Sequence, residues 1–369
     1  MASVFDSTSI KSLTLNNRFV RSATGTSLAN KQGEVTSALT KHIMDLVEGG
    51  VGLIIAGHAS VHLSGRSGAT QLGIYNDSHI PGLRQMVNKV HRQDGKIIAQ
   101  LSHAGLQSDS SVTGQALMSP VSMPETEGKF ASVQATTAMT QTDIDKIVDA
   151  FRDGAIRAKK AGFDGVQLHS AHGYLFSSFL SPFFNKRTDR YGGDVTNRTK
   201  IIIDAYNAVR NAVGDNYPVM IKMNVTDFLD AGLSREEAIE AAVIFDDAGF
   251  DSIELSGGTV WGLRIYGDVN RTPCRNVESD AYYLEAARLL KQRVDAPIIL
   301  TGGIKSFDVA ERIIHEGVAD YIGLCRPLIR EPDLVDRWKS GDAEDSACVY
   351  DNACFFKGGG KCYQIQASE

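Results

Sequence analysis

The sequence predicts a single α/β domain of the (β/α)8-barrel class. Eight short runs of apolar and β-branched residues are each followed by a longer segment with helical periodicity. These runs are apolar on both faces, which is typical of parallel strands buried between a barrel interior and an outer helix layer. The predicted strands are RFVRSA from Arg18, VGLIIA from Val51, KIIAQL from Lys96, GVQLHS from Gly165, PVMIKMN from Pro218, DSIELS from Asp251, PIILTG from Pro297 and DYIGLC from Asp320.

The segments between the strands carry apolar residues at spacings of three and four and often end in glycine, as amphipathic helices do. The alternative architecture, an open doubly wound sheet, would place a G-x-G-x-x-G turn after the first strand, and SATGTSLAN does not match that spacing. The predicted helices are TSALTKHIMDLVEGG from Thr36, DIDKIVDAFRDGAIRAKKAG from Asp143, SREEAIEAAVIFDDAG from Ser234, AYYLEAARLLKQR from Ala281 and SFDVAERIIHEG from Ser306.

Two segments do not fit the repeat. The stretch from His103 to Thr142 is rich in Ser, Thr and Gly and leaves the third strand on the face where barrel enzymes carry their chemistry, so we interpret it as a lid or substrate loop. The segment from Gly341 has little periodicity. We therefore expect residues 1–340 to form the barrel and residues 341–369 to form a short C-terminal extension.

Composition excludes several classes of protein. The chain of 369 residues has a formal net charge of −6 and no dense basic run, which argues against a nucleic-acid partner. It has neither a signal-peptide pattern nor a membrane-spanning apolar stretch, so we expect a soluble, cytoplasmic protein. Five cysteines is an odd number, with Cys274 and Cys325 far from Cys348, Cys354 and Cys362, and a secreted disulfide framework is not predicted.

The fourth predicted strand ends in a cluster of hydrogen-bonding side chains. His169, His172 and Tyr174 follow one another within six residues. Two imidazoles can grip a single substrate oxygen while a nearby phenol acts as an acid. The alternatives are a histidine pair that caps the next helix, or a metal site, which would need a third ligand that no neighbouring Cys, Asp or Glu obviously supplies.

The seventh and eighth strands end in LTGGIKS and GLCRPL. Gly302 and Gly303 are expected to open a helix whose free N–H groups favour an anion, and Arg326 adds a permanent positive charge. Barrel enzymes commonly bind phosphate at this position. Ordinary loop glycines with an arginine that caps a neighbouring helix would be the alternative, and the presence of both elements on adjacent strands favours phosphate.

Two further polar residues lie within predicted strands. Lys222 would place a cation near the barrel mouth, where it needs an anionic partner: a reduced flavin, a carboxylate, or a carbonyl with which it forms a Schiff base. Gln100 offers a donor and an acceptor at the same rim, which suits a planar heterocycle, although a buried amide satisfied by backbone is an equally good interpretation.

Taken together, these blocks resemble the Old Yellow Enzyme family of NADH:flavin oxidoreductases from about Phe5 to Pro332. The longest agreement covers HSAHGYL, FLSPFFNKRTDRYGGD and NRTK, and NRFVRSA, QLSHAG, TGGI and CRPLIREPDL agree at the expected strand ends. The resemblance implies a barrel that binds FMN and takes hydride from NADH or NADPH. It also allows a homo-oligomer, because members of the family often assemble.

The resemblance also implies roles for individual residues. Gln100 would hydrogen-bond the pyrimidine edge of the flavin, and Lys222 would lie beside N1 and the C2 carbonyl, where a cation stabilises the reduced ring. The full set of positions that match the cofactor site is Ala23, Thr24, Gly25, His58, Gln100, Lys222, Gly302, Gly303, Cys325 and Arg326.

By the same resemblance, His169 and His172 would grip the carbonyl or nitro oxygen of an electron-poor alkene, and Tyr174 would donate a proton. The expected activity is ping-pong hydride transfer from NAD(P)H to the C=C bond of α,β-unsaturated carbonyl or nitro compounds. The alternatives are a flavoprotein similar to dienoyl-CoA reductases with another enoyl substrate, a non-catalytic flavin-binding module, and an aldolase-type barrel that uses Lys222.

Two departures from the family pattern are present. Gly25 stands where the family usually has Thr or Cys near the flavin C4 carbonyl, and this loss of a side-chain contact is expected to shift the flavin potential. Larger relatives ligate an iron–sulfur cluster with four cysteines beyond the barrel and continue into a nucleotide-binding domain. This chain has Cys348, Cys354 and Cys362 in that region and ends at Glu369, so we expect no metal and no second domain.

Overall fold

The computed structural model describes residues 2–129, 131–266, 281–356 and 361–366. The strands are β1 (Thr8–Ile10), β2 (Leu13–Leu15), β3 (Phe19–Arg21), β4 (Leu53–Ser60), β5 (Ile97–Ser102), β6 (Leu117–Ser119), β7 (Thr136–Ala138), β8 (Val166–Ser170), β9 (Val219–Asn224), β10 (Ile253–Ser256), β11 (Ile298–Thr301) and β12 (Tyr321–Leu324). Eight of them are parallel and close into a barrel in the order β10-β11-β12-β3-β4-β5-β8-β9, which confirms the predicted fold class and excludes an open sheet.

Helices alternate with the barrel strands and cover them from outside. Among the described residues, no helix is both long and apolar enough to cross a membrane. The helices are α1 (Ser37–Glu48), α2 (Ile80–His91), α3 (Ser110–Thr113), α4 (Gln141–Ala161), α5 (Leu175–Leu180), α6 (Val195–Val213), α7 (Arg235–Ala248), α8 (Val260–Tyr266), α9 (Leu284–Lys291), α10 (Phe307–His315), α11 (Arg326–Arg330), α12 (Leu334–Lys339), α13 (Ala353–Phe356) and α14 (Tyr363–Gln366).

The barrel interior changes from apolar to polar along its axis. Its lower part is a separate cluster of buried side chains contributed by barrel strands and by the N-terminal hairpin β1–β2, which closes the bottom. Because inward-facing residues alternate along each strand, the positions two residues further on point into the upper part. The apolar cluster comprises Ile10, Leu13, Leu15, Val20, Leu53, Ile55, Ile98, Met220, Ile299 and Tyr321.

The long helix α4 shows why the sequence forms these outer elements. Thr140 and Asp143 form a capping box at its N-terminus, and Gly162 ends it in a left-handed conformation with φ of 94°. Its apolar face is fully buried against the barrel, and Phe151 stacks on Phe176 of α5 with ring centroids 4.3 Å apart. Burial of this face holds the crossover from the third barrel strand, β5, to the fourth, β8, in place.

The predicted lid between β5 and α4 has structure of its own. It contains α3 and the two-stranded parallel sheet β6–β7. A small cluster in which Leu106 and Val133 pack with Phe184 and Trp261 joins it to the segments that follow β8 and β10. The lid therefore rests on the face of the barrel at which the strands end.

The C-terminal extension is attached to the same face. The backbone N–H of Ser346 donates to the Lys305 carbonyl at 2.8 Å, and the Ser346 hydroxyl donates to Glu331 at 2.7 Å. Arg326 of α11 donates to the Asn352 side chain at 2.9 Å. The extension thus contacts the loops that follow β11 and β12.

We predict that Phe151→Ala lowers the free energy of unfolding by about 3–5 kcal/mol, because it removes a fully buried aromatic ring and leaves a cavity between α4 and the barrel. Urea unfolding followed by circular dichroism measures this change. Lys146→Ala, at an exposed position of the same helix, is the control and should change stability by less than about 0.5 kcal/mol. Equal effects of the two substitutions would contradict the packing described.

Candidate active site

The inward-facing residues above the apolar layer form a polar floor. At its centre lies Glu254 of β10, which is fully buried. Its carboxylate accepts from Ser22 Oγ at 2.6 Å and Thr301 Oγ1 at 2.9 Å, and it pairs with Lys222 Nζ at 2.9 Å. The anionic partner that the sequence requires for Lys222 is therefore a carboxylate of the chain itself.

Glu254 also connects to the predicted cofactor residue Gln100. The Gln167 amide donates to Glu254 Oε2 at 2.8 Å, and its carbonyl accepts from Gln100 Nε2 at 2.8 Å. In the barrel register, Gln100 is paired with Gln167, and Lys222 with Glu254. The two polar residues predicted separately thus belong to one network, and Gln100 is satisfied by a side chain and not by backbone.

The ion pair bears on the Schiff-base alternative. A nucleophilic amine must be neutral, whereas Lys222 Nζ lies against the Glu254 carboxylate and donates to Ser22 Oγ at 2.7 Å. A neighbouring anion favours the protonated, non-nucleophilic form. The geometry therefore argues against an aldolase-type role for Lys222.

Above the floor, His169, His172 and Tyr174 come together at the end of β8. The ring centroid of His169 is 5.3 Å from that of His172 and 4.9 Å from that of Tyr174. The N-cap residue of α5 is Tyr174 and not a histidine, and its side chain forms no capping hydrogen bond. The helix-capping interpretation of the histidine pair is therefore wrong.

His172 is held by several contacts. Its Nε2 lies 2.7 Å from Ser256 Oγ, and its backbone N–H donates to Asn224 Oδ1 at 3.1 Å. Its φ of 63° is in the left-handed region, which is uncommon for a residue with a side chain and requires such support. Burial, with a smaller effect of Lys222, lowers the pKa of His172 to about 3, so its ring is neutral at pH 7.

His169 has an unsatisfied polar atom. The residue is 3% exposed, and its Nδ1 has no hydrogen-bond partner among the residues that the structure describes. Burial, followed by the effects of His172, His58 and Lys222, lowers the pKa of His169 well below its usual value. A buried ring nitrogen without a partner is costly unless a ligand supplies one.

His58 places a third imidazole in the same cluster. Its ring centroid is 5.1 Å from that of Tyr174. Gln71 Oε1 accepts from the backbone N–H of Ser67 at 2.7 Å, so its amide nitrogen, 2.8 Å from His58 Nδ1, must donate. The proton of the neutral His58 ring therefore lies on Nε2, since burial lowers its pKa to about 4.

Gly25 leaves space next to this donor. A Cβ at position 25 would lie 3.6 Å from His58 Nε2, and among the described residues that nitrogen has no hydrogen-bond partner. Gly25, His58 and Gln71 line a cavity of about 90 Å3. A larger residue at position 25 would fill this space. With glycine there, the space is faced by the Nε2–H of His58 on the neighbouring strand.

The remaining predicted cofactor residues, Ala23, Thr24 and Cys325, lie at the ends of β3 and β12. A Cβ on Gly57 would come within 2.5 Å of the Ala23 side chain and 3.4 Å of Gln100 Oε1, so these three residues meet and only glycine fits between them. Thr24 Oγ1 lies 3.1 Å from Cys325 Sγ. The ends of β3, β4, β5 and β12 therefore share one wall of the site.

The predicted phosphate site at Gly302 and Gly303 differs from the sequence prediction in its local structure. Gly302 and Gly303 do not open a helix, because α10 begins four residues later at Phe307. They form a turn with φ of 114° and 81°, which side-chain-bearing residues rarely adopt. Gly303 is buried, and its backbone N–H donates to no acceptor among the residues that the structure describes.

Arg326 lies beside this turn. Its guanidinium donates to Asn352 Oδ1 at 2.9 Å and to the Tyr282 hydroxyl at 3.4 Å, and it lies 4.3 Å over the Tyr350 ring. Tyr282 in turn lies against Gly303. The structure thus brings Arg326 and the glycine turn together, with the C-terminal extension as an added component.

The extension carries three of the five cysteines of the chain. Cys348, Cys354 and Cys362 are free thiols, and no group of three or more His, Cys, Asp or Glu within the described ranges could hold a metal ion. Cys274 lies outside the described residues.

Sequence reasoning missed the residues that organise the site. Glu254, Gln167, Ser22 and Thr301 form the floor, and Gln71 orients His58. The strand alternation contained part of the signal, because Gln167 lies two residues before His169 and so faces the same side of β8. Pairing Glu254 with Lys222 needs the register of the closed barrel, which a single sequence does not reveal.

The chain forms a closed (β/α)8 barrel. At its strand ends, a cluster of imidazole and phenol side chains lies above the polar floor. This arrangement is typical of a barrel enzyme that uses a cofactor. Residues 3–345 match the NADH:flavin oxidoreductase / NADH oxidase family. The chain belongs to this family, and the resemblance to Old Yellow Enzyme is confirmed.

The relatives include proteins of similar and of greater length. The chain is 35% identical to an NADPH dehydrogenase of Geobacillus thermodenitrificans, over 89% of this chain and 91% of the relative. It is 36% identical to a metal reductase of Desulforamulus reducens and 32% identical to an NADH oxidase of Thermoanaerobacter brockii, over 93% and 98% of this chain. It spans only 50% and 54% of those two relatives.

Solved structures show the same fold. A 2-naphthoyl-CoA reductase in complex with 2-naphthoyl-CoA superposes with a TM-score of 0.87 and 25% identity, over 95% of this chain and 54% of that one. An old yellow enzyme homologue from Zymomonas mobilis superposes with a TM-score of 0.78 and 23% identity, over 95% and 96% of the two chains. At the level of the family, the prediction of FMN with NADH or NADPH is confirmed.

The residues present fit FMN. The backbone N–H of Gly303, which has no acceptor within the described ranges, and the charge of Arg326 suit a phosphate, and the floor of Gln100 and Lys222 suits the polar edge of a flavin. The unsatisfied His169 Nδ1 and the His58 Nε2–H are available to a ligand above the floor. The individual assignments of these residues to the cofactor remain predictions.

We predict that His172→Asn makes protein stability less sensitive to acid. The folded pKa of about 3 lies below the ordinary histidine pKa of 6.5, so the stabilisation by the neutral ring is fully present above pH 6.5. It is lost as the pH falls towards 3, because the unfolded chain binds the proton first. Asn tolerates the left-handed conformation. Unfolding free energies measured from pH 7 to 4 should show a slope smaller by about one proton than in the wild type. An unchanged slope would contradict the neutral ring.

Proposed function

We propose that this chain is an FMN-dependent NAD(P)H oxidoreductase that reduces the C=C bond of α,β-unsaturated carbonyl or nitro compounds. The observation that carries the proposal is the cluster of His169, His172 and Tyr174 at the end of β8, directly above the polar floor. When bound, FMN supplies the chemistry of hydride acceptance from the nicotinamide and hydride donation to the alkene. The barrel of residues 1–340 carries this site, and residues 341–369 are an extension of it.

The two histidines act as neutral hydrogen-bond donors. Burial keeps both rings neutral at pH 7, so each has one N–H, and His169 Nδ1 has no partner within the described residues. A pair of donors that converge on a carbonyl or nitro oxygen draws electron density away from the conjugated alkene. The β carbon then becomes the electrophilic position.

Tyr174 is placed to supply the proton. Burial raises the pKa of its phenol, and the effects of Arg264 and the Ser67 hydroxyl only partly offset this increase. The phenol therefore keeps its proton at pH 7 and can transfer it to the α carbon of a substrate held by the histidines. The tyrosine and the two donors together favour a C=C reductase over a flavin-binding module without turnover.

The visible spectrum of the purified protein under anaerobic conditions tests this proposal. Addition of NADH or NADPH should bleach the flavin absorbance, and addition of 2-cyclohexenone should restore it. A flavin that bleaches but is not reoxidised by enones or nitroalkenes would redirect the proposal to another acceptor. A protein that does not bind FMN would overturn it.

We predict that Tyr174→Phe slows flavin reoxidation by 2-cyclohexenone by about a hundredfold, while reduction by the nicotinamide stays within about twofold of the wild type. The phenyl ring keeps the packing against His169 and removes only the acidic proton. Stopped-flow measurement of each half-reaction separates the two effects. Tyr191→Phe, outside the cluster, is the control, and equal slowing in both variants would contradict the role of Tyr174.

We predict that Arg326→Ala raises the dissociation constant of FMN by about tenfold or more, because a charged hydrogen-bond donor to the phosphate is lost. Arg330→Ala removes the same charge at the other end of α11 and should have a smaller effect. Fluorescence titration of the apoprotein with FMN measures both constants. Unchanged FMN binding in Arg326→Ala would show that the phosphate lies elsewhere.

A further inference from the structure

The buried carboxylate of Glu254 lies deeper than any group that the proposed reaction uses, yet it is bonded to side chains from four other parts of the barrel. The strands β8, β9 and β11 each contribute one donor, and Ser22, directly after β3, contributes the fourth. Burial of a charged group without compensation is costly, and a full set of donors is what makes it tolerable. Burial alone would raise the pKa of Glu254, but Lys222, Ser22 and Gln167 together lower it below the ordinary value, so the group is a carboxylate.

This carboxylate determines the direction of the hydrogen bonds that lead to Gln100. Because a carboxylate can only accept, Gln167 must turn its amide nitrogen towards Glu254 and its carbonyl towards Gln100. Gln100 must then donate through Nε2, which leaves its carbonyl oxygen free to accept on the side of Gly57. A neutral amide at position 254 could adopt either orientation and would not impose this order.

The same carboxylate compensates the charge of Lys222. Lys222 Nζ lies 2.9 Å from Glu254 Oε1 and is itself 3% exposed, so little water screens the pair. Two of its three hydrogens are directed at Glu254 and Ser22. The cation beneath the site is therefore balanced by a fixed anion before any ligand binds.

We propose that Glu254 is a positioning residue for the flavin: it orients Gln100 as an acceptor and partly neutralises Lys222, and so lowers the reduction potential of the bound cofactor. The inference rests on the proposed placement of Gln100 and Lys222 beside the flavin. An uncompensated cation there would stabilise the anionic reduced ring more strongly than the ion pair does. The chain thereby favours hydride donation from the reduced cofactor.

The substitution Glu254→Gln tests this inference, since it keeps the size of the side chain and removes its charge. We expect the midpoint potential of bound FMN, measured by equilibrium titration against redox dyes, to become more positive. A tenfold change in the equilibrium between oxidised and reduced flavin corresponds to about 30 mV for a two-electron couple, and we expect a shift of at least that size. A second substitution, Lys222→Gln, should shift the potential in the opposite direction, and the double variant should return towards the wild type.

The matched control is Glu237→Gln. Glu237 lies on α7 and pairs with the buried Arg198, so its substitution also removes one carboxylate from an ion pair, here a partly buried one outside the barrel interior. Gln can keep the capping box with Ser234. This variant should leave the flavin potential unchanged. A similar shift in both variants would indicate a general effect of net charge and would overturn the inference.

The outcomes also separate this inference from the proposed function. If the wild type reduces enones but Glu254→Gln leaves the potential unchanged or more negative, the inference is wrong and the function stands. If the potential shifts as expected but the wild type does not reduce activated alkenes, the inference stands and the function is wrong. If Glu254→Gln does not fold, Glu254→Asp keeps the charge and should hold the potential near that of the wild type, and a large positive shift in that variant would overturn the inference.

Discussion

The ion pair between Lys222 and Glu254 is the constraint on which the rest of the site depends. It lies between an apolar lower layer, closed by the hairpin β1–β2, and a polar rim that must meet substrate and cofactor. A charged pair at this depth is stable only if hydroxyl and amide donors complete its hydrogen bonds. Ser22, Thr301 and Gln167 do so. Because they lie on or directly after three different strands, they connect these strands through Glu254 at the level of the site.

A second organising feature is the exchange between Gly25 and His58. Gly25 has no side chain at the end of β3, and the Nε2–H of His58 on β4 faces the space that a side chain there would occupy. The side-chain contact that is predicted to be lost at position 25 is therefore accompanied by a hydrogen-bond donor, His58 Nε2–H, on the neighbouring strand. Gln71 and Ser67 fix the ring in this orientation, so the donor is available without further rearrangement.

Much of the fold could be predicted from sequence because burial on both faces leaves a strong pattern. All eight barrel strands lie within or overlap the runs identified, and α4 and α7 begin at capping boxes visible as T-x-x-D and S-x-x-E. The helix expected at Gly302 begins later, because the turn needs two left-handed residues before backbone hydrogen bonding can start. The cluster at the end of β8 was predictable because its members are close in sequence. The partner of Lys222 was not, because Glu254 is brought to it only by barrel closure.

The closed floor of the barrel has a kinetic meaning for the proposed function. Within the part of the chain that the structure describes, the apolar layer and the N-terminal hairpin block the lower end, so access to the site is from the face that the lid and the C-terminal extension surround. Reductant and oxidant must then use the same entrance and occupy the same space in turn. An excess of nicotinamide should therefore compete with the alkene, so turnover would pass through a maximum as the donor concentration rises.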